Sequence, residues 1–234
     1  MPLFLSHRNG ELTEWMDRPD CDEVLLNNTY RQFKTINFLL SGWSTIYKNQ
    51  LKPFIKKKNR AVTLLDVGCG GGDIIRLLWK LAEKDGLNVH FTGIDPDQRA
   101  INYLTEQEHP RNIRFLPVTT TNLAERNEKF DIVISNHLIH HLTEAQLESV
   151  CRETEKLCEG IALFSDIERS DIGYAAFSTI APLLFRNSYI VKDGLISIKK
   201  SYRKKELAPI VPDGWSVQRK FPFRLLAVYQ NHSL

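Results

Sequence analysis

Apolar residues follow two regimes along this chain. Before about residue 60 they recur at helical spacing, and after it short apolar runs alternate with helical stretches. The 1–59 region therefore reads as helical. From Asp22 to Leu40, the positions Leu26, Tyr30, Phe33 and Leu40 step by four, three and seven, which places them on one face. Asp20 or Asp22 is available as N-cap, and Ser41-Gly42 ends the helix. A second segment runs from Trp43 to the basic cluster, with a kink expected at Pro53. Asn37 interrupts the apolar face, either as a satisfied core group or as one turned toward a ligand.

From Ala61 the alternation of strands and helices signals a parallel sheet. Strands are expected at Ala61–Asp66, Val89–Ile94, Ile113–Pro117, Phe130–Ser135, Ile161–Ser165, Trp215–Lys220 and Phe223–Tyr229. The intervening helices are Asp73–Glu83, with Ile74, Leu77, Leu78 and Leu81 on the sheet side, then Gln98–Thr105, capped by Asp97, and one opened by Thr143 and ended by Gly160. Ile172–Phe185 is apolar enough for a buried or lid helix, 191–195 reads as a turn, and Ser201 is expected to cap a short helix through Leu207.

Composition adds little to this α/β picture: 234 residues, 42% hydrophobic and 25% charged, suffice for one well-buried core with a helical appendage. A net charge of +3 implies no nucleic-acid partner by itself, and the clusters at Lys56-Lys57-Lys58 with Arg60 and Lys199-Lys200 with Arg203-Lys204-Lys205 read as solvated faces or as patches for an anionic partner. Cys21, Cys69, Cys151 and Cys158 form no Cys-x-x-Cys pair, which points to a reducing cytoplasm and away from zinc, and no set of histidines and acids has the spacing of a metal site, so no metal is expected. The opening residues, from Met1 to Arg8, lack a leader pattern, and no segment approaches the length of a membrane span.

The chemistry centres on Asp66-Val67-Gly68-Cys69-Gly70-Gly71-Gly72, a strand end that breaks into glycines before a helix. Glycine allows positive φ and lets a ligand approach the backbone, and the helix N-terminus adds free N–H groups. The dinucleotide fingerprint would place its third glycine where Asp73 stands. An acid at the tip of the next strand, Asp95, suits the two hydroxyls of a ribose.

This Asp-x-Gly-x-Gly-x-Gly pattern resembles the first motif of the class I S-adenosylmethionine (SAM)-dependent methyltransferases, and the likeness runs from about Ala61 to the end. It implies a Rossmann-like, seven-stranded, mostly parallel sheet with helices on both faces and an antiparallel C-terminal strand pair. The core would be 60–234, with a lid or substrate insertion at about 168–210 and an N-terminal helical lid at 1–59 bringing Tyr30, Phe33, Asn37 and Trp43 near the substrate. SAM, released as S-adenosylhomocysteine, would rest on Asp66, Gly68, Gly70, Gly72, Asp95, Pro96 and Asn136. The acid that the family often carries after the third strand is missing, so the adenine falls to Thr120 or Thr121, although Thr121 equally suits an N-cap.

After the fourth strand the chain reads Ser-Asn-His-Leu-Ile-His-His-Leu (135–142), similar to a bacterial small-molecule methyltransferase group. His137 and His140 are the candidate substrate-facing bases, His141 a neighbour of more structural character, and Asp166 and Arg169 either substrate contacts or a solvated loop. The Asn-Pro-Pro-Tyr tetrad of many amine methylases is absent. The expected activity is methyl transfer to a small, largely apolar acceptor, at a phenolic oxygen ahead of carbon. An RNA or protein methylase and a non-catalytic SAM-binding protein are the alternatives.

Overall fold

The computed structural model describes residues 4–231, so residues 1–3 of the stretch read for a leader lie outside it. Residues 4–22 contain no helix, which corrects the expectation that helix fills 1–59. Asn9-Gly10 and Arg18-Pro19 interrupt the pattern, and the backbone N–H groups find distant partners instead. Leu5 donates to Asp171, Trp15 and Met16 to the two carboxylate oxygens of Asp193, and Asp22 to the Tyr189 hydroxyl. The segment is a strap across the molecule.

Helix α1 (Glu23–Leu40) starts at Asp22, whose carboxylate accepts the Leu25 N–H, and stops at Ser41 before left-handed Gly42. Helix α2 (Trp43–Ile46) passes through a π turn (Tyr47–Leu51) into α3 (Lys52–Lys56). Pro53 has no N–H to offer, and the ladder loosens just before it, where Lys52 N–H returns to Tyr47 O.

The rest alternates: β1 (Val62–Val67), α4 (Asp73–Lys84), β2 (Val89–Ile94), α5 (Gln98–Thr105), β3 (Ile113–Leu116), α6 (Thr120–Glu125), β4 (Phe130–Asn136), a 3-10 turn (Ile139–His141), α7 (Glu144–Leu157) and β5 (Cys158–Ile167). Helices α8 (Asp171–Leu184), α9 (Ile190–Lys200) and α10 (Lys204–Leu207) separate β5 from the closing strands β6 (Trp215–Lys220) and β7 (Arg224–Gln230). The sheet order is β3-β2-β1-β4-β5-β7-β6, parallel except for β7 against both its neighbours. It is the Rossmann-like α/β sheet with the antiparallel C-terminal pair.

The inner strands are buried on both faces and read as continuous apolar runs, as parallel strands covered by helices do. Leu26, Trp43, Ile75 and Leu78 pack with Leu64 and Ile132 on one face, while Leu147, Cys151 and Trp215 pack with Leu65, Val133 and Phe164 on the other. Strand β1 lies between β2 and β4, so the chain leaves its carboxyl end in opposite directions and opens a crevice there.

Three local expectations are corrected by packing. Gly160 lies inside β5 and ends no helix; a Cβ there would stand 2.3 Å from the Phe54 ring and 2.6 Å from Asp131 O. Residues 191–195 form no turn but belong to α9, where Gly194 lets the Phe177 ring of α8 come within 2.4 Å of a Cβ position. Ser201 closes α9, its hydroxyl donating to Ser197 O, and α10 opens at Arg203, whose N–H is accepted by Glu206.

The two basic clusters do not form faces of one sign. Lys58 and Arg60 converge on buried Asp131, and Lys200 is buried against Glu14. No helix among the described residues is long and apolar enough to cross a membrane. Gly160→Ala is expected to lower stability by about 1–3 kcal/mol through overpacking against fixed backbone, read as a fall in the thermal midpoint.

Candidate active site

The crevice widens into a cavity of about 730 Å³ lined by Asp66, Gly68, Gly70, Asp95, Pro96 and Asn136 at one end. Gly70 takes φ 47°, and a Cβ there would meet no protein atom within 4 Å, so its backbone faces open space. Its N–H donates to one oxygen of Asp95 (2.9 Å), and Asp97 N–H donates to the other (2.9 Å), which fixes that carboxylate at the tip of β2. Asp97 itself caps α5.

Asp66 is buried, and its Oδ1 is without a hydrogen-bond partner among the described residues. Burial, and then the nearby charges of Asp73 and Asp95, push its carboxyl well above the usual range. An orphaned acceptor at a cavity wall fits a cationic or N–H donor from a ligand. Beside it, Asn37 Nδ2 donates to Asp73 Oδ2 (2.9 Å); burial still raises Asp73 to about 6. Asn37 therefore combines the two readings it was given, since it is satisfied by Asp73 and also lines the cavity.

The other end holds a polar wall. Asp166, buried at the end of β5, accepts from His140 N (2.8 Å) and His140 Nδ1 (2.7 Å). His140 Nε2 lies 3.2 Å from Glu14 Oε1, a strap residue that also accepts from Ser197 Oγ and has Lys200 Nζ at 3.7 Å. Burial disfavours charge on His140, but the carboxylates of Asp166 and Glu14 outweigh it and raise its pKa to about 9. Both its nitrogens thus hold protons near neutrality.

His137 has φ 64°, left-handed and strained for a residue with a Cβ. Its Nε2 accepts from Arg224 Nη1 (2.9 Å), while Arg224 Nη2 donates to Asn136 Oδ1 and Ser165 Oγ. Burial, reinforced by the Arg224 charge, drops the His137 pKa well below its ordinary value. Neither histidine therefore presents a free basic lone pair as the site stands. His141 also lines the cavity, half-buried beside Asp17 and Lys200. Ligand atoms of Glu14, His140 and His141 lie within 4.8 Å of one another, a spacing that suits a cation, but the Lys200 ammonium already supplies positive charge there.

Tyr30 and Phe33 of α1 line the cavity as expected, opposite Ala176, Phe177 and Ile180 of α8. Other expected site residues stand apart from it. Trp43 is fully buried behind Asn136, to which its Nε1 donates (3.1 Å). Gly72 turns away, its Cβ position closed by Leu104 and Phe115, so its close approach is to the core. Thr120 and Thr121 direct their hydroxyls to Glu153 of α7, and Thr119 rather than Thr121 caps α6. Arg169 is buried and holds the strap and the α9–α10 link, donating to Leu5 O, Ser201 O and Glu206. Asp166 stands behind His140 and outside the cavity lining.

Residues 64–159 match the family model of a methyltransferase domain. The matched stretch, from β1 to the start of β5, is thus similar to a methyltransferase domain. Among curated proteins it is similar to the ubiquinone biosynthesis O-methyltransferase of Rhizobium etli, 31% identical over 86 residues, which are 36% of this chain and 32% of that protein. The relative of the same name in Rhizobium leguminosarum is 31% identical over 85 residues, 36% of this chain and 31% of that protein. The match thus spans about a third of the length of these relatives. The fold is similar to that of the plantazolicin methyltransferase BpumL, solved with S-adenosylhomocysteine, at a TM-score of 0.65 and 14% identity over 93% of each chain. It is also similar to human N-acetylserotonin methyltransferase, at a TM-score of 0.62 and 8% identity over 90% of this chain and 56% of that one.

The histidine end of the cavity also holds groups that pattern reading does not single out, both outside the matched stretch. Glu14 lies in a stretch without periodicity, and its role comes from contacts with residues 126 and 183 positions away. Arg224 carried one signal, a charged residue opening an apolar strand of the sheet. Because the folded pKa of His140 is raised, its pairing stabilises fully below its unfolded value of about 6.5 and the gain is lost as pH rises through about 9. Asp166→Asn is expected to weaken that alkaline decline in the thermal midpoint between these limits.

Proposed function

We propose that the chain is a SAM-dependent methyltransferase acting on a small, largely apolar acceptor at a phenolic oxygen. One observation carries this reading: the cradle of Asp66, Gly70 and Asp95 opens into the same cavity as the His137–His140–Glu14 wall and the apolar faces of α1 and α8. The open backbone at Gly70, the fixed carboxylate of Asp95 and the orphaned Asp66 oxygen fit the cofactor's methionine end and ribose. SAM supplies an electrophilic sulfonium methyl, for which the protein's main task is alignment and exclusion of water.

Asp95 would accept the ribose hydroxyls, and Asp66 would orient the glycine turn and the amino group. The adenine contacts fall elsewhere than on the Thr120 and Thr121 hydroxyls, which Glu153 holds. The apolar walls suit an aromatic or aliphatic acceptor better than a polynucleotide, and the dispersed basic clusters add no continuous anion track. The O-methyltransferase names of the curated relatives support oxygen as the methylated atom. The free thiols and the lack of a spanning helix among the described residues support a cytoplasmic setting.

His140 would act as the base for the acceptor hydroxyl, with Asp166 fixing its Nδ1 and Glu14 holding Nε2 until the acceptor takes that place. His137, fixed by Arg224, would shape the wall and present its Nδ1–H. Because His140 keeps its proton up to about pH 9, methyl transfer limited by proton removal should rise between pH 7 and 9.

Methyl-labelled SAM with fractionated bacterial extract should place label in small molecules rather than in RNA or protein. Asp95→Ala should raise the dissociation constant for SAM. His140→Ala should lower turnover by about 10²–10⁴, in line with loss of a general base. Full turnover in both His140→Ala and His137→Ala would remove the histidine base from the mechanism.

A further inference from the structure

Large apolar side chains crowd the mouth of the cavity on its solvent side. Leu39 and Leu40 of α1, Ile180 and Leu184 of α8, and Phe223 in the turn before β7 all line the cavity, yet all are exposed. The patch continues outward through Phe38 (65% exposed), Leu183 (75%) and Phe221 (92%). Single exposed apolar residues are ordinary, but a rim of this kind around a cavity marks a surface that meets something apolar. The three rim segments also touch: Phe33 and Ile36 of α1 pack with Ala181 and Phe185, and Phe223 lies 3.2 Å from the Cβ position of Gly173 in α8.

The charges on the rim segments are basic, and the acids next to them are engaged, Glu168 with Arg219 and Asp171 with Leu5 N. Segments 30–40, 172–190 and 217–223 contain no Asp or Glu. They do contain exposed Arg31, Lys34, Arg186, Arg219 and Lys220. Of these, Arg219 is paired with Glu168, while the side chains of Lys34, Arg186 and Lys220 form no ion pair among the described residues. Each apolar group has a base within four positions: Lys34 before Phe38, Arg186 after Leu184, and Lys220 before Phe221. Long basic side chains beside apolar ones can keep their charges at a phosphate layer while the apolar groups enter the acyl boundary.

We propose that the mouth of the cleft docks on the surface of an anionic phospholipid bilayer, so that an amphiphilic acceptor enters the cavity from lipid. Acceptor entry rests on the methyltransferase reading, whereas docking does not. The apolar rim supplies insertion, and the bases supply attraction to acidic headgroups, each worth about 1 kcal/mol near such a surface, or about fivefold in partition. The cavity walls of α1 and α8 are continuous with the inserted rim, so the acceptor need not cross water.

The test is flotation of the full chain with vesicles of equal parts phosphatidylcholine and phosphatidylglycerol, and with phosphatidylcholine alone. Binding is expected to the mixed vesicles, weakened by salt and by omission of phosphatidylglycerol. Leu183→Glu combined with Phe221→Glu should abolish flotation while the thermal midpoint and SAM affinity stay unchanged. Lys34→Ala and Lys220→Ala should each reduce partition about fivefold.

No flotation, or flotation untouched by the Leu183 and Phe221 substitutions, would overturn docking. So would a dimer in sedimentation velocity that these substitutions disperse, since a second copy would then cover the rim. Vesicle binding by a chain that methylates nothing would leave docking standing and reject the enzymatic reading alone.

Discussion

The site depends on the carboxylate of Asp166. It stands at the end of β5 and takes both the backbone N–H and the ring Nδ1–H of His140 from the turn that follows β4. Two neighbouring strand ends, those of β4 and β5, are thereby fixed to each other. The cost of burying that charge is met by the imidazolium it stabilises, and the ring is left with one orientation. Everything beyond the ring is arranged around its other nitrogen: Glu14 reaches it from the strap, and Ser197 and Lys200 of α9 support Glu14 in turn. Burial is first among the influences on Glu14 and opposes its charge, but His140, His141 and Lys200 bring its pKa down to about 2.

This arrangement divides the cavity electrostatically. At the glycine end, Asp66 and Asp73 are buried carboxyls that form no ion pair among the described residues, both shifted upward by burial, with the Arg76 charge opposing the shift at Asp73. At the histidine end, the carboxylates are balanced by His140, Arg224 and Lys200. A positively charged ligand is favoured at the first end and a neutral one at the second, with the apolar faces of α1 and α8 between them and solvent.

The sheet and the glycine turn with its candidate cradle residues were legible in the sequence because they are local. Val89–Ile94 and Gln98–Thr105 fall where pattern and cap place them, and Asp95 follows from its position at a strand tip. What was not legible depends on distant contacts. Glycine reads as a stop, but Gly160 and Gly194 are small because Phe54 and Phe177 press on them. Arg169 resembles a site residue by its place after β5, and only the fold shows that its guanidinium holds Leu5 and Ser201. The histidines after β4 stood out as candidates, whereas the protonation of His137 and His140 was unreadable without Arg224, Asp166 and Glu14.

The strap has a consequence for how the molecule comes together. Leu5 is bound by Asp171, Arg169 and Arg203, contacts that span 164 to 198 positions, and Arg8 is held by the carbonyls of His140, Leu142 and Lys200. The strap therefore closes on partners 132 to 198 positions further along, and contacts of such high sequence separation form slowly. The sheet and glycine turn are held by their own ladders, whereas Glu14 at His140 is supported by Ser197 and Lys200 of α9. The wall beside His140 is thus built from segments far apart in sequence, and its order depends on how firmly the strap is seated.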